Sequence, residues 1–140
     1  WNEVECGDHY SRSMASYGVF LAACGFEYHG PKQHIGFAPK LTPENFKAAF
    51  TSAEGWGSLI QSRNGKAQTN RIEVKWGRLR LKTLAFELPP GATFKAATVS
   101  VGTRRTTAKA LQTGQRVELT LAKEVTLQAK GSIKSKLEYV

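Results

Sequence analysis

The first twelve residues bring together most of the side chains that a polar binding site needs. In an extended segment Trp1, Glu3 and Glu5 would project to one side, because successive side chains of a strand alternate. A carboxylate accepts from two neighbouring hydroxyls, and the guanidinium of Arg12 donates in a fixed fork. An indole adds a flat apolar surface for the C–H face of a pyranose ring. This stretch predicts one wall of a sugar-binding pocket, with Glu3 and Arg12 as candidate binding residues.

A structural interpretation of the same residues stays open. Glu3 and Arg12 can form an ion pair that closes a helix terminus, and Glu5 can cap it. A single histidine such as His9 is more typical of a structural role than of a base or a metal ligand. Asp8 is better placed as a helix cap than as a catalyst.

A helix is predicted over residues 8–25, with Asp8 as its N-cap. The apolar side chains recur at steps of three and four, which is the spacing of one helical face. These side chains are Met14, Tyr17, Phe20, Leu21 and Cys24. Few positions after Ser13 are polar, and a helix that is apolar nearly all round is buried on several sides. Since the rest of the chain does not resemble helices, we expect this helix to need partners that the chain does not contain.

The next segment, residues 26–40, is predicted to be an irregular connector. A short helix should follow, capped by Thr42 with a proline at its first position, and running to about Phe50. Leu41 before the cap would pack against Phe46 as a hydrophobic staple.

Beyond these elements the period of the apolar residues becomes two, which is the period of a strand. Two glycines flank Trp56 and predict a tight bend that buries its indole. The alternating apolar positions then are Ile72, Val74, Trp76, Leu79, Leu81, Leu84, Phe86 and Leu88. Each change of phase in this series implies a turn or a bulge. Short strands separated by glycine-containing turns continue to the end of the chain, which predicts an antiparallel meander or a small sandwich.

The charge of the chain is unevenly distributed. The net charge is +9 over 140 residues. Residues 1–59 carry four Lys/Arg against six Asp/Glu, and residues 60–140 carry sixteen against five. Because the basic residues alternate with an apolar face and few aromatic residues accompany them, a solvated basic surface is favoured over nucleic-acid binding. Lys and Arg scattered over both faces of the β-region would favour a scaffold. A single stripe of Lys and Arg with exposed aromatic residues would favour a binding surface.

The two cysteines are predicted to be free thiols. A helix between Cys6 and Cys24 holds their Cα atoms more than ~20 Å apart, and a disulfide needs them within ~7 Å. Free thiols weakly favour a reducing, cytoplasmic compartment, which the sequence otherwise leaves unknown. No cofactor or metal site is expected, and no apolar run of about 18 residues predicts a membrane span. The chain begins at Trp1 with no targeting segment, so we expect it to be a piece of a longer protein.

Three segments closely resemble the C-terminal end of glycoside hydrolase family 116. The matching motifs are WNEVECGDHYSRSMASYGV at residues 1–19, GFAP and LTPENF between residues 36 and 46, and AEGWG at residues 53–57. The similarity is looser over residues 70–140, where GRLRL at residues 77–81 still fits. The family contains bacterial β-glucosidases and non-lysosomal glucosylceramidases.

The resemblance implies an α+β chain: a helix from the end of an (α/α)6 barrel, a connector helix and a β-rich tail. Residues 1–60 would end the catalytic domain, and residues 61–140 would form the tail module. The parent would be a retaining β-glycosidase acting on a β-glucoside or a glucosylceramide-like substrate. Both catalytic carboxylates would lie upstream, so no catalytic residue is expected here. Glu3 and Arg12 match the family residues that hold sugar hydroxyls, and the upstream part of the protein would be their partner.

A second function stays open beside this one. The basic β-region would then be a binding module for polysaccharide, for an anionic lipid surface or for nucleic acid, the last being the least favoured.

Overall fold

The computed structural model describes the backbone of residues 7–140 and the side chains of residues 14–140. One helix, α1 (Gly7–Cys24), precedes ten strands and one short 3-10 turn (Gly30–Lys32). The strands are β1 (Glu27–His29), β2 (His34–Phe37), β3 (Asn45–Ser52), β4 (Gly55–Asn64), β5 (Ala67–Glu87), β6 (Phe94–Val101), β7 (Arg104–Thr106), β8 (Ala108–Thr113), β9 (Arg116–Gln128) and β10 (Ser132–Tyr139).

Strand β5 organises the molecule, because its 21 residues take part in two groups of strands. Its N-terminal half pairs with β4 and β10, and its C-terminal half pairs with β2 and β9. We call the group β1-β2-β5-β9-β8 the first layer and the group β3-β4-β5-β10-β6-β7 the second layer. Every pairing is antiparallel except that of β2 with β5, so the sheet is mixed.

The two layers enclose one hydrophobic core. Phe37 of the first layer stacks on Phe46 of the second, with ring centroids 6.2 Å apart. Phe37 also meets Phe86 edge-on at 5.1 Å. Alternate residues of β9 and β10 are buried, as their period of two predicts. One end of this core is polar and contains the buried side chains of Gln61, Gln68, Asn70 and Ser135.

The changes of phase along β5 are bulges within one continuous strand. Trp56 of β4 is in register with Trp76, whereas its neighbour Gly57 is in register with Val74, so Lys75 is the extra residue. A second shift falls between Leu81 and its next paired position on β9. The predicted phase slips are therefore real, and each reverses the side of the sheet to which the following residues point.

The expected α+β class is wrong. The described part of the chain is mostly strand, in a mixed sheet with a single helix, and it has neither a barrel-end helix with a connector helix nor a purely antiparallel meander. The predicted helix at residues 8–25 does occur as α1. The error lies in the residues after it, where a local helical pattern was preferred to long-range strand pairing.

The predicted connector helix is strand β3. Phe46 and Phe50 are four residues apart, a spacing that fits one face of a helix and equally one face of a strand. Pairing with β4 along the whole of β3 decides between them. Leu41 is 66% exposed and so does not act as a staple, and Thr42 has a φ of 44°, in the left-handed region.

Two further expectations are corrected. Residues 26–40 are not an irregular connector, since they contain β1, the 3-10 turn and β2. Trp56 is 50% exposed, because it lies on the outer side of β4 rather than in a buried bend. The proposed division of the chain at residue 60 stays a prediction; β4 runs continuously across that position.

Candidate functional site

The C-terminal end of α1 is fixed to the sandwich through backbone hydrogen bonds. Gly25, with a φ of 54°, ends the helix, and its N–H donates to Ala22 O while that of Phe26 donates to Leu21 O. This pair of bonds is the Schellman arrangement of a helix C-terminus. The segment after β2 then binds the last turn, because Ala38 N donates to Cys24 O at 3.0 Å.

Side chains complete this attachment. The rings of Phe26 and Phe50 lie 6.2 Å apart, and the hydroxyls of Tyr17 and Thr51 are 3.4 Å apart. Cys24 is a buried free thiol, and burial raises its pKa. The sandwich thus holds one end of α1 and determines the direction in which the other end projects.

The apolar side of α1 is left largely uncovered by the described residues. Met14 is 63% exposed and Val19 is 69% exposed, and Tyr17 and Phe20 are exposed as well. Apolar side chains at four positions of one helix exceed what scattered surface residues require. The expectation that the helix needs partners beyond this chain stays a prediction.

The two predicted sugar-binding residues cannot be placed in this geometry. Glu3 lies outside the described residues, and so does Cys6. Arg12 lies within α1, but its side chain is not among those described. The same holds for Asp8 and His9. The contacts predicted for Glu3 and Arg12 therefore stay predictions.

A cleft lies on the outer face of the first layer. It has a volume of about 520 Å³ and is lined by Glu27, Tyr28, His29, Lys32, His34, Thr83, Arg116 and Glu118. Strand pairing brings these side chains together: His34 is in register with Thr83, and Arg116 lies on β9 beyond β5. A volume of this size is large enough for a small ligand.

A hydrogen-bonded network spans this cleft. Both guanidinium NH2 groups of Arg116 donate to the carboxylate of Glu27, one of them to Oε2 at 3.1 Å. His34 Nε2 lies 3.4 Å from the same oxygen, and His34 Nδ1 lies 2.7 Å from Thr83 Oγ1. Glu118 approaches Arg116 at 3.9 Å. A bidentate pair of this kind fixes the geometry of both partners.

The charge of Arg116 dominates the ionisation of this network. Partial burial alone would raise the pKa of Glu27, but the hydrogen bonds and charge of Arg116, aided by His34, outweigh it and lower that pKa. Glu27 in turn raises the pKa of Arg116. A carboxylate so engaged is a poor general base, because its lone pairs are already occupied. The network is therefore suited to holding strands and orienting a ligand rather than to proton transfer.

The described residues contain no cluster of three or more His, Cys, Asp or Glu side chains that could hold a metal ion. They also include no helix long and apolar enough to cross a membrane.

Sequence reasoning did not select the residues of this cleft. Strand β1 has three residues, too few to show a period, and Arg116 lies 89 positions from Glu27 in the sequence. One sequence signal could have pointed to this cleft: Gly36 is a glycine within an apolar strand, and such a glycine often marks a place where other groups approach the backbone closely.

The basic residues are distributed over both layers. Lys47, Arg71, Lys134 and Arg105 follow one cross-strand row on the outer face of the second layer. Lys109 and Arg116 lie on the outer face of the first layer. The row on the second layer shares its outer face with the exposed Trp56 and Trp76, so the scaffold and the binding surface both stay predictions.

Comparisons with known proteins find similarity among solved structures alone. No family model matches the chain, and no curated protein matches it. Among solved structures, the α-L-rhamnosidase from Dictyoglumus thermophilum is similar at 13% identity, with a TM-score of 0.49, over 94% of this chain and 14% of that enzyme's chain. This is a distant likeness to a structure from a glycoside hydrolase, and it does not confirm family 116.

Proposed function

We propose that this chain is the β-rich module of a glycoside hydrolase and that the whole protein is a retaining β-glycosidase, either a β-glucosidase or a glucosylceramidase-like enzyme. The sequence resemblance of residues 1–57 to family 116 supports the assignment of the parent. The role of the module is inferred from the attachment of α1. The last turn of this helix is hydrogen-bonded to the sandwich, while its apolar side is uncovered by the described residues.

This attachment suits a positioning role. A helix held at its C-terminal end by backbone hydrogen bonds presents its N-terminal end in a defined direction. Arg12 lies in the N-terminal half of α1, and Glu3 precedes the helix. The module would thereby orient the segment that holds the glucose, and the uncovered side of α1 would pack on the catalytic part of the enzyme.

The chemistry assigned to this segment is binding. A retaining glycosidase uses two carboxyl groups about 5–5.5 Å apart, and on this proposal both lie upstream. Glu3 would accept from sugar hydroxyls and Arg12 would donate to them. Such contacts raise the rate when they strengthen in the transition state, so their loss should lower kcat as well as affinity.

Kinetics of the complete enzyme test the proposal. With an aryl β-glucoside as substrate, Glu3→Gln and Arg12→Lys should each lower kcat/KM by about 10- to 100-fold, the range expected for one hydrogen bond to a charged group. Lys109→Met, on the outer face of the first layer, is the control and should leave kinetics unchanged.

Wild-type kinetics in both site variants would refute the assignment of Glu3 and Arg12. Turnover by the isolated 140-residue chain, lost in Glu3→Gln, would make Glu3 catalytic and would refute the claim that the working carboxylates lie upstream.

A further inference from the structure

Two tryptophans form an exposed pair on the outer face of the second layer. Trp56 of β4 and Trp76 of β5 are directly opposite each other, and they are 50% and 64% exposed. Directly opposite residues of an antiparallel pair have Cβ atoms about 4.5–5.5 Å apart, so the two indoles leave the sheet from neighbouring backbone positions. Neither ring contributes to the core.

The bulge at Lys75 creates this arrangement. Without the extra residue, Trp76 would continue the buried series of Ile72 and Val74, as the alternation predicts. With it, Trp76 turns to the outer side and meets Trp56. Gly77, at a φ of 73°, fits against the carbonyl of Glu54, where a Cβ would clash. Bulges commonly change the direction of a side chain. The bulge at Lys75 puts Trp76 on the same outer face as Trp56, and both residues lie on paired strands rather than on a loop.

Polar groups border the pair. Arg78 follows Trp76 by two positions on the same outer side, and its Nε donates to the carboxylate of Glu54 at 3.0 Å. Arg80 Nε donates to the other oxygen of that carboxylate at 3.0 Å. On the opposite side, Thr51 is in register with Trp56. The indoles are thus edged by hydroxyl, carboxylate and guanidinium groups that remain accessible to solvent.

Such a surface fits a sugar better than an apolar protein partner. A pyranose has one apolar C–H face for an indole and a rim of hydroxyls for the surrounding donors and acceptors. A protein partner that covered the indoles would also bury the ion pairs of Glu54 with Arg78 and Arg80, and the desolvation of these charges is costly. Nucleobases also stack on aromatic rings, but binding to nucleic acid draws on phosphate contacts.

We propose that Trp56 and Trp76 form a platform that binds β-linked gluco-oligosaccharides by stacking. The choice of glucose rests on the proposed function, whereas the exposure and register of the two tryptophans do not. The platform would hold the enzyme near a polymeric or multi-sugar substrate without taking part in bond cleavage.

Calorimetric titration of the full 140-residue chain tests this, with cellotetraose and laminaritetraose as probes. Binding to at least one probe is expected, with Trp56→Ala and Trp76→Ala each weakening it by about tenfold or more. Leu111→Ala, which removes an exposed apolar side chain from the other layer, should leave binding unchanged. Circular dichroism of every variant should match the wild type, since both indoles lie outside the core.

Three results would overturn the platform. One is the absence of binding to both probes; another is unchanged affinity in both tryptophan variants. The third is tighter binding of an oligothymidylate that weakens steeply between 50 and 500 mM NaCl, because phosphate contacts carry that dependence. If the wild type binds no sugar but is a dimer, and Trp56→Ala makes it a monomer, then the tryptophans form an interface between copies and not a platform. None of these outcomes alters aryl β-glucoside kinetics, so failure of the platform and failure of the proposed function are distinguishable.

Discussion

Gly36 lies directly opposite Glu27 across the pairing of β2 with β1, and its missing side chain gives Glu27 the room to reach Arg116. A Cβ on Gly36 would lie 2.9 Å from Glu27 Cγ and 3.0 Å from Ala85 Cβ. The side chain of Glu27 thus passes over one residue without a side chain and lies near another that has only a methyl group. The ion pair of Glu27 with Arg116 depends on this space.

Gly36→Ala should therefore destabilise the protein. The added methyl group meets backbone and side-chain atoms of β1 and β5, and overpacking of this kind costs about 1–3 kcal/mol. Urea unfolding at neutral pH measures the change. Gly18→Ala is the matched control: no heavy atom lies within 4 Å of its added Cβ, and alanine is favoured over glycine in a helix by about 1 kcal/mol. Equal stability of the wild type and Gly36→Ala would show that β1 moves freely aside.

Acid should weaken the fold. The pKa of Glu27 is lowered in the folded protein, and so are those of Glu54, Glu73 and Glu138, mainly through hydrogen bonds and charges of neighbouring Arg and Lys. A carboxyl with a lowered folded pKa contributes stability above its unfolded pKa of about 4.3, and this is lost as the pH falls through the folded value. Unfolding free energy should accordingly be constant near neutrality and decrease below about pH 4.5.

Glu27→Gln isolates one part of that acid dependence. The variant should be less stable than the wild type at pH 7, where the ion pair with Arg116 is intact. The difference should shrink towards pH 3, because below the unfolded pKa of about 4.3 protonation favours the unfolded state of the wild type. Glu118→Gln, whose carboxylate approaches Arg116 only at 3.9 Å, is the control with a smaller expected effect. A difference that stays constant from pH 7 to pH 3 would contradict the electrostatic account of Glu27.

The polar end of the core should be sensitive to loss of Gln68. Its amide donates at 3.1 Å to Gln61 Oε1 and at 3.1 Å to Asn70 Oδ1, and it accepts from Arg63 Nε at 2.8 Å. Gln68→Leu leaves these three partners with unmade hydrogen bonds in a buried place. A buried group left unpaired costs about 1–3 kcal/mol, so a loss of about 2–4 kcal/mol is expected. Denaturant unfolding checks this, with the exposed Gln115→Leu as the control; similar stabilities would mean that water replaces the lost bonds.

Gly25→Ala should loosen the attachment of α1. Alanine disfavours the positive φ of Gly25, and its Cβ would clash with the carbonyl of Ala38. Amide hydrogen exchange should increase in the last turn of α1 while β9 and β10 stay protected. In the complete enzyme, kcat/KM should fall although the variant changes no sugar contact. Unchanged exchange and kinetics together would contradict the positioning role of the sandwich.

The period of the apolar residues determined much of the fold. Helix α1, the strands after residue 70 and the phase changes of β5 all follow from local spacing, because a buried face imposes its period on the chain. The uncovered side of α1 was also predictable, since its apolar positions outnumber what the chain can cover. Two phenylalanines spaced by four could not distinguish β3 from a helix, because helix and strand share that spacing.

Only the tertiary structure decided how distant residues meet. One extra residue at Lys75 turns Trp76 from the core to the surface opposite Trp56; the apolar period predicted a slip in this region but assigned Trp76 to the buried series. Likewise the Glu27–Arg116 pair depends on β2, β5 and β9 lying side by side, with Gly36 beneath it. Local spacing determines which face of an element is apolar, whereas strand pairing, set by the whole core, determines which polar groups become neighbours.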